Sequence, residues 1–195
     1  GVTSLSVDLH KYAFAPKGAS LVLYRDATLR RAAYFTCTEW AGYAVINPAV
    51  QSSKSAGPVA AAWAVLHGVG DLGFQDIAAS TLEGTRRFIE GVRSIPEIEV
   101  LGEPDFCMIA LASRGPCVFH IVDELIERGW FVQAQLSHES TPASIHLSLG
   151  PKNAGKVDGL LAALREAVEA ARALPSGHIR QAVQAFAQAP GGIAA

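Results

Sequence analysis

The amino-acid sequence predicts an α/β chain folded as two lobes, and three observations carry that prediction. Segments with the two-residue period of strands alternate with helical stretches along most of the chain. A glycine-punctuated break, Gly68-Val69-Gly70-Asp71, interrupts the helical pattern, so the lobes are expected over residues 1–70 and 71–175, with a tail over 176–195. At 195 residues there is enough chain for one large and one small lobe.

The elements follow in order. Residues 2–7 alternate apolar and hydroxyl side chains, which predicts a strand that empties into a turn carrying Asp8, His10 and Lys11. Residues 20–24 predict a second strand, and residues 26–33 a short helix capped by Asp26. Residues 34–57 read as irregular: aromatic (Tyr34, Phe35, Trp40, Tyr43), then Asn47-Pro48 and a run of serine and glycine, a length that usually serves function or covers an interface. Pro58 suits a helix start, and residues 59–67 are apolar nearly all round, which predicts a buried helix. A long amphipathic helix is expected from about Leu72 to Arg93, stopped by Ser94-Ile95-Pro96. Beyond it, strands are predicted over 97–101, 106–112, 130–135 and 144–149, with helices over 118–128 and 154–173. The tail offers one more short helix and then frays into Pro190-Gly191-Gly192.

Composition narrows the function classes. Half the residues are hydrophobic and only 17% are charged, below the roughly 25% of an average soluble domain. A surface so poor in charge is expected to be covered in part, most simply by a partner subunit. A net charge of −2 does not provide the basic stripe that nucleic-acid binding needs. Cys37, Cys107 and Cys117 lack metal-like spacing, and their odd number speaks against a disulfide framework, so a reducing, cytoplasmic setting is expected. No apolar run approaches the roughly 18 residues of a membrane span, and no basic-then-apolar leader is visible. A chain that opens without methionine into an interior-type strand is expected to be the carboxyl-terminal part of a longer protein.

The chemistry concentrates at Ser4-Leu5-Ser6-Val7-Asp8-Leu9-His10-Lys11-Tyr12, followed by Ala15-Pro16-Lys17-Gly18. An amine at the end of a strand, beside an imidazole and a carboxylate, is where an enzyme would place a Schiff-base nucleophile. This pattern resembles the cofactor-lysine segment of the pyridoxal-phosphate-dependent group II decarboxylase family, most of all its sphingosine-1-phosphate lyase branch. The likeness runs more weakly through Trp40, the loop Ser53-Lys54-Ser55-Ala56-Gly57, the helix around Trp63 and the small lobe.

That resemblance implies a fold-type-I pyridoxal-phosphate enzyme, this chain holding the end of the large cofactor domain and the small carboxyl-terminal α/β domain. It implies pyridoxal 5'-phosphate as cofactor, an imine on Lys11, and His10 beside the cofactor phosphate, with Ser4 and Ser6 as further phosphate-side donors. Lys17 would be a second active-site lysine. Gly57 closes a loop that, in the family, approaches the active site of the neighbouring subunit. There Lys54 replaces the arginine of a Ser-Arg-x-Gly run, which keeps the charge and loses the bidentate fork. Ala13 and Ala19 depart from the usual residues as well, which leaves substrate identity open. Lys54 and Arg114 are the candidate partners of a substrate anion. Asp8 reads as an Asx-type brace of the lysine turn.

The implied reaction is retro-aldol cleavage of a phosphorylated long-chain base to an aldehyde and phosphoethanolamine. Two other readings stand beside it: decarboxylation of an amino acid such as tyrosine, aspartate or glutamate, and a non-catalytic part of a larger assembly. The expected partners are a small-molecule amine and either a second copy, as a homodimer, or the missing amino-terminal part. The acid that pairs with the ring nitrogen and the residue that stacks on the ring lie upstream in such families. His67 and His120 read as core or capping residues, and His146 as only partly facing the cleft. No zinc spacing, phosphate loop or nucleophile elbow appears.

Overall fold

The computed structural model describes residues 1–51 and 53–173. Two compact units divide the chain after Phe74.

The first unit is built on a hairpin. Strands β1 (Ser4–Asp8) and β2 (Ser20–Tyr24) pair antiparallel, with Ser4 opposite Tyr24 and Asp8 opposite Ser20. Helix α1 (Ala27–Arg31) follows, and the Asp26 carboxylate accepts the Leu29 N–H at 2.9 Å as its cap. The stretch expected to be irregular contains a second small hairpin, β3 (Phe35–Cys37) on β4 (Val45–Asn47). Three-residue strands are too short to declare a period, and their pairing is a tertiary event. In the loop between them Trp40 and Tyr43 meet edge to face, with ring centroids 4.7 Å apart.

Helix α2 (Ala56–Arg93) begins two residues before Pro58, where a missing N–H is harmless because the first turn has no intrahelical acceptors for it. Its one non-helical residue is Gly70, with φ 67° and ψ 172°. The expected four-residue break is thus a single-residue kink from which the helix resumes at once.

The core of this unit is small: Leu9, Ala15, Ala19 and Ala62, flanked by Val7 and Ala13. Residues 59–67 do not form the buried helix that their apolar composition predicts. Ala62 is buried, but Trp63 is 61% exposed and Val59 58%. Apolar side chains on every side of a helix need cover on every side, and the described part of this unit covers one. Leu5, Val22 and Leu23 on the hairpin are likewise more than half exposed.

The second unit carries the larger core. Strands β5 (Ile98–Val100), β6 (Met108–Ser113), β7 (Gln133–Gln135) and β8 (Ser144–Ser148) form an antiparallel sheet in the order β5-β6-β8-β7. Helix α3 (Val118–Glu127), the short α4 (Pro151–Ala154) and α5 (Val157–Arg172) complete it. The register sets Ile109 opposite Leu147 and Leu111 opposite Ile145. All four are buried, and they share one core with Phe88 and Val92 of α2, Ile121 and Leu125 of α3, and Leu164 of α5. Period-two burial on the strands meeting a helical stripe on α3 and α5 is what places this core. The helix expected over 154–173 is α5, which starts at Val157, while Ala154 ends the separate α4 and Gly155 and Lys156 lie between them. The short helix expected in the tail lies outside the described residues, as do Ser52 and residues 174–195.

Candidate active site

The residues after β1 form a tight turn. The Lys11 N–H donates to the Asp8 carbonyl at 3.1 Å, the Phe14 N–H to the Lys11 carbonyl at 3.2 Å, and the Ala15 N–H to the Leu9 carbonyl at 3.0 Å. Phe14 sits at φ 55°, a left-handed conformation that costs a bulky residue free energy. Its ring stacks on Phe74 at 6.5 Å, which gives the strained residue a fixed neighbour. The chain then returns through Gly18 to β2, where the Leu9 N–H donates to the Ala19 carbonyl at 3.3 Å.

This turn opens onto a hollow of about 480 Å³ lined by Ser6, Asp8, Lys11 and Tyr12 on its polar side and by Val7, Leu9, Ala13, Leu66 and Phe74 on its apolar side. Lys11 therefore lies where a bound molecule would meet an amine, a carboxylate and an apolar wall together. The Lys11 Nζ lies 3.0 Å from Asp8 Oδ2, and the Ser20 hydroxyl donates to Asp8 Oδ1 at 2.7 Å. The Ser20 hydrogen bond first, and then the Lys11 bond, hold the Asp8 carboxyl below its ordinary pKa, so it is a carboxylate at neutral pH. These bonds correct the reading of Asp8 as a turn brace: its carboxylate engages two side chains, and it is its backbone carbonyl that closes the turn.

His10 does not line the hollow. Its Nδ1 is buried with no hydrogen-bond partner among the described residues, although a buried imidazole nitrogen normally finds one. Ser6 reaches the hollow, whereas Ser4 is exposed at the far end of β1. Lys17 is exposed in its own turn. The glycine after it is required: Gly18 has φ 114°, and a Cβ there would stand 2.8 Å from Pro58 Cγ. That contact seats the Lys17 turn against the start of α2, next to Gly57. Lys54 and Gly57 are both exposed.

Arg114 belongs to the second unit, where its Nε and guanidinium NH2 group both contact Glu99 Oε2, at 2.9 and 2.8 Å. Its charge is already matched by that carboxylate. His146 on β8 lies opposite Ala110 and Gln133 and borders a hollow of about 340 Å³ with Trp130, Phe131 and Asn153. His67 bonds the Trp63 carbonyl at 2.9 Å within its own helix, and His120 is buried on α3. Among the described residues no three His, Cys, Asp or Glu side chains gather as a metal ion would require.

Sequence reasoning misses Ser20, Leu66 and Phe74. Ser20 depends on register: the two predicted strands paired end to end set it opposite Val7, and the observed ladder sets it opposite Asp8. Leu66 and Phe74 carry no local signal, because their place at the hollow depends on how α2 packs against the turn.

No family model matches the chain. It is 38% identical to sphingosine-1-phosphate lyase of Arabidopsis thaliana over 175 residues, covering 90% of this chain and 31% of that protein. It is 33% identical to the Dictyostelium discoideum enzyme of the same name over 169 residues. The chain spans about a third of the length of these curated relatives. Among solved structures, the sphingosine-1-phosphate lyase of Burkholderia pseudomallei superimposes with a TM-score of 0.79 at 34% identity, over 97% of this chain and 43% of that one. Glutamate decarboxylase of Lactobacillus brevis matches with a TM-score of 0.71 at 16% identity, over 89% of this chain and 42% of that one, a likeness of fold alone.

Proposed function

We propose that this chain, which belongs to the pyridoxal-phosphate-dependent group II decarboxylase family and has the fold-type-I architecture, is the lysine-bearing part of a carbon–carbon lyase. The reaction we assign is retro-aldol cleavage of a phosphorylated long-chain base to an aldehyde and phosphoethanolamine. One observation carries the reading. The segment Asp8-Leu9-His10-Lys11-Tyr12 of a lyase-like sequence folds so that Lys11 borders a hollow with an ionised carboxylate on one side and apolar side chains on the other.

The residues present fit pyridoxal phosphate. The Lys11 amine is the group that would hold its aldehyde, and Nδ1 of His10 is a buried nitrogen still in need of a partner such as a phosphate oxygen. Ser6, at the rim, has a hydroxyl to offer the same group. When bound, the cofactor supplies an electron sink for the bond that breaks. The rest falls to the chain: Lys11 and Lys17 as proton carriers or anion partners, Lys54 as a further cation, and the apolar wall of Leu66 and Phe74 to exclude water. Arg114 serves a substrate anion only if Glu99 releases it.

Decarboxylation is the weaker reading, because the lyases resemble this chain at 29–38% identity and the glutamate and tryptophan decarboxylase structures at 16–18%. The exposed apolar residues of the first unit, Trp63 and Val59 among them, support association with a second copy or with the remainder of a longer protein. A cytoplasmic location is part of the same proposal.

The test is borohydride reduction of the full-length protein with added cofactor, followed by peptide mapping and product analysis. A pyridoxyl mass on the Lys11 peptide and an aldehyde product are expected. Label confined to Lys17 or Lys54 would overturn the site, and release of carbon dioxide without aldehyde would overturn the reaction. Absence of any label would leave the chain a non-catalytic part of an assembly.

A further inference from the structure

The hydrogen bonds around Asp8 give that side chain a task of its own. Asp8 and Ser20 are the last register pair of the β1–β2 ladder, so their side chains leave the hairpin on the same face. Ser20 Oγ occupies Oδ1 at 2.7 Å and leaves Oδ2 to the Lys11 ammonium at 3.0 Å. The carboxylate is thereby fixed from the paired strands, whereas Lys11 hangs from the turn on a four-carbon stem with much rotamer freedom. A lysine that holds a cofactor covalently must also exist as a free amine, each time the cofactor is lost or a substrate amine takes its place. That free amine, 63% exposed in its side chain, would otherwise sample solvent.

We infer that Asp8, anchored by Ser20, is a positioning residue that receives the Lys11 ammonium whenever the lysine is not joined to the cofactor and keeps it at the hollow. This rests on the reading of Lys11 as the cofactor-bearing lysine. An isolated surface ion pair would contribute little. Here one partner is locked by a second hydrogen bond from a neighbouring strand, both charged groups border one hollow, and the other carboxylate oxygen is already spoken for. The Asp8 carboxyl, held below its ordinary pKa, remains a counter-ion at neutral pH.

The test uses the full-length protein stripped of cofactor with hydroxylamine. Competitive reductive methylation with isotopic formaldehyde and cyanoborohydride, read by peptide mass, gives the labelling rate of Lys11 relative to Lys17 and Lys54. Asp8→Asn is expected to raise the Lys11 ratio about threefold, the size an exposed pair supports, because the amine is no longer engaged. Ser20→Ala is expected to raise it by less and in the same direction, and it serves alone if the Asp8 variant does not fold. An unchanged ratio, or an equal rise at Lys17 and Lys54 that signals general loosening, overturns the assignment. Borohydride trapping of added pyridoxal phosphate on the unsubstituted protein runs alongside. Failure of trapping sinks the lyase reading, whereas flat ratios with successful trapping sink only the role of Asp8.

Discussion

At the scale of single residues, the Asp8 carboxyl is where charge and fold meet. The Ser20 hydroxyl, and after it Lys11, depress its pKa. A carboxyl whose folded pKa lies below the unfolded one contributes stability that is complete above the unfolded value and is lost as the pH falls through the folded value. Ser20→Ala should therefore move the Asp8 titration up, towards the ordinary carboxylate range, in a 13C NMR pH titration. An unmoved midpoint would mean that the Ser20 bond is not made in solution. Lys11→Ala should abolish covalent attachment of the cofactor, while Lys17→Ala should retain attachment and lower turnover, as absorbance near 420 nm and product release would record. Lys11 stands out in the sequence through the spaced pattern Asp8-Leu9-His10-Lys11-Tyr12 and its family resemblance, and the structure sets Lys11 at the hollow and His10 off it. The partner of Asp8 has no local signature, because it depends on which residue the opposite strand presents.

Elements show the same division between what is local and what is not. The strand Ser20–Tyr24, the Asp26 cap and the end of α2 at Arg93 follow from period, capping chemistry and a proline stop, and the structure has them where those signals place them. The β3–β4 hairpin is not legible in the sequence, because a pair of three-residue strands has no periodic signature of its own. The turn after Pro16 illustrates a local signal with a non-local cause. Gly18 reads as turn punctuation, yet the structure adds a second requirement, the closeness of Pro58. Gly18→Ala must adopt a positive φ and also push its Cβ against that ring, so it should cost about 1–3 kcal/mol. The urea midpoint of the variant measures this. A midpoint equal to that of the unsubstituted chain would show that the turn and α2 part readily.

Across the whole molecule, apolar residues are divided unequally between burial and exposure, and this division yields a discriminating prediction. Ile121 has no exposed surface and lies in the shared core of the second unit, so Ile121→Ala leaves a cavity and should cost about 2–5 kcal/mol in denaturant unfolding of the 195-residue chain. Trp63 is a larger side chain, but at 61% exposure it has much less to lose in the chain by itself. Trp63→Ala should cost below about 1 kcal/mol when the chain is dilute and alone. If a second copy or a further segment covers this ring, the order should narrow, because the ring then becomes buried surface. Measuring both variants at two protein concentrations separates the cases. A loss at Trp63 that grows with concentration points to a second copy. A loss as large as that at Ile121 even at the lowest concentration would contradict the exposure of this helix. The sequence announced a helix with apolar residues on nearly every side, and burial was the natural expectation for it. What the pattern does not convey is how much of the fold stands against that helix, and in the described unit Ala62 is buried while Val59 and Trp63 are exposed.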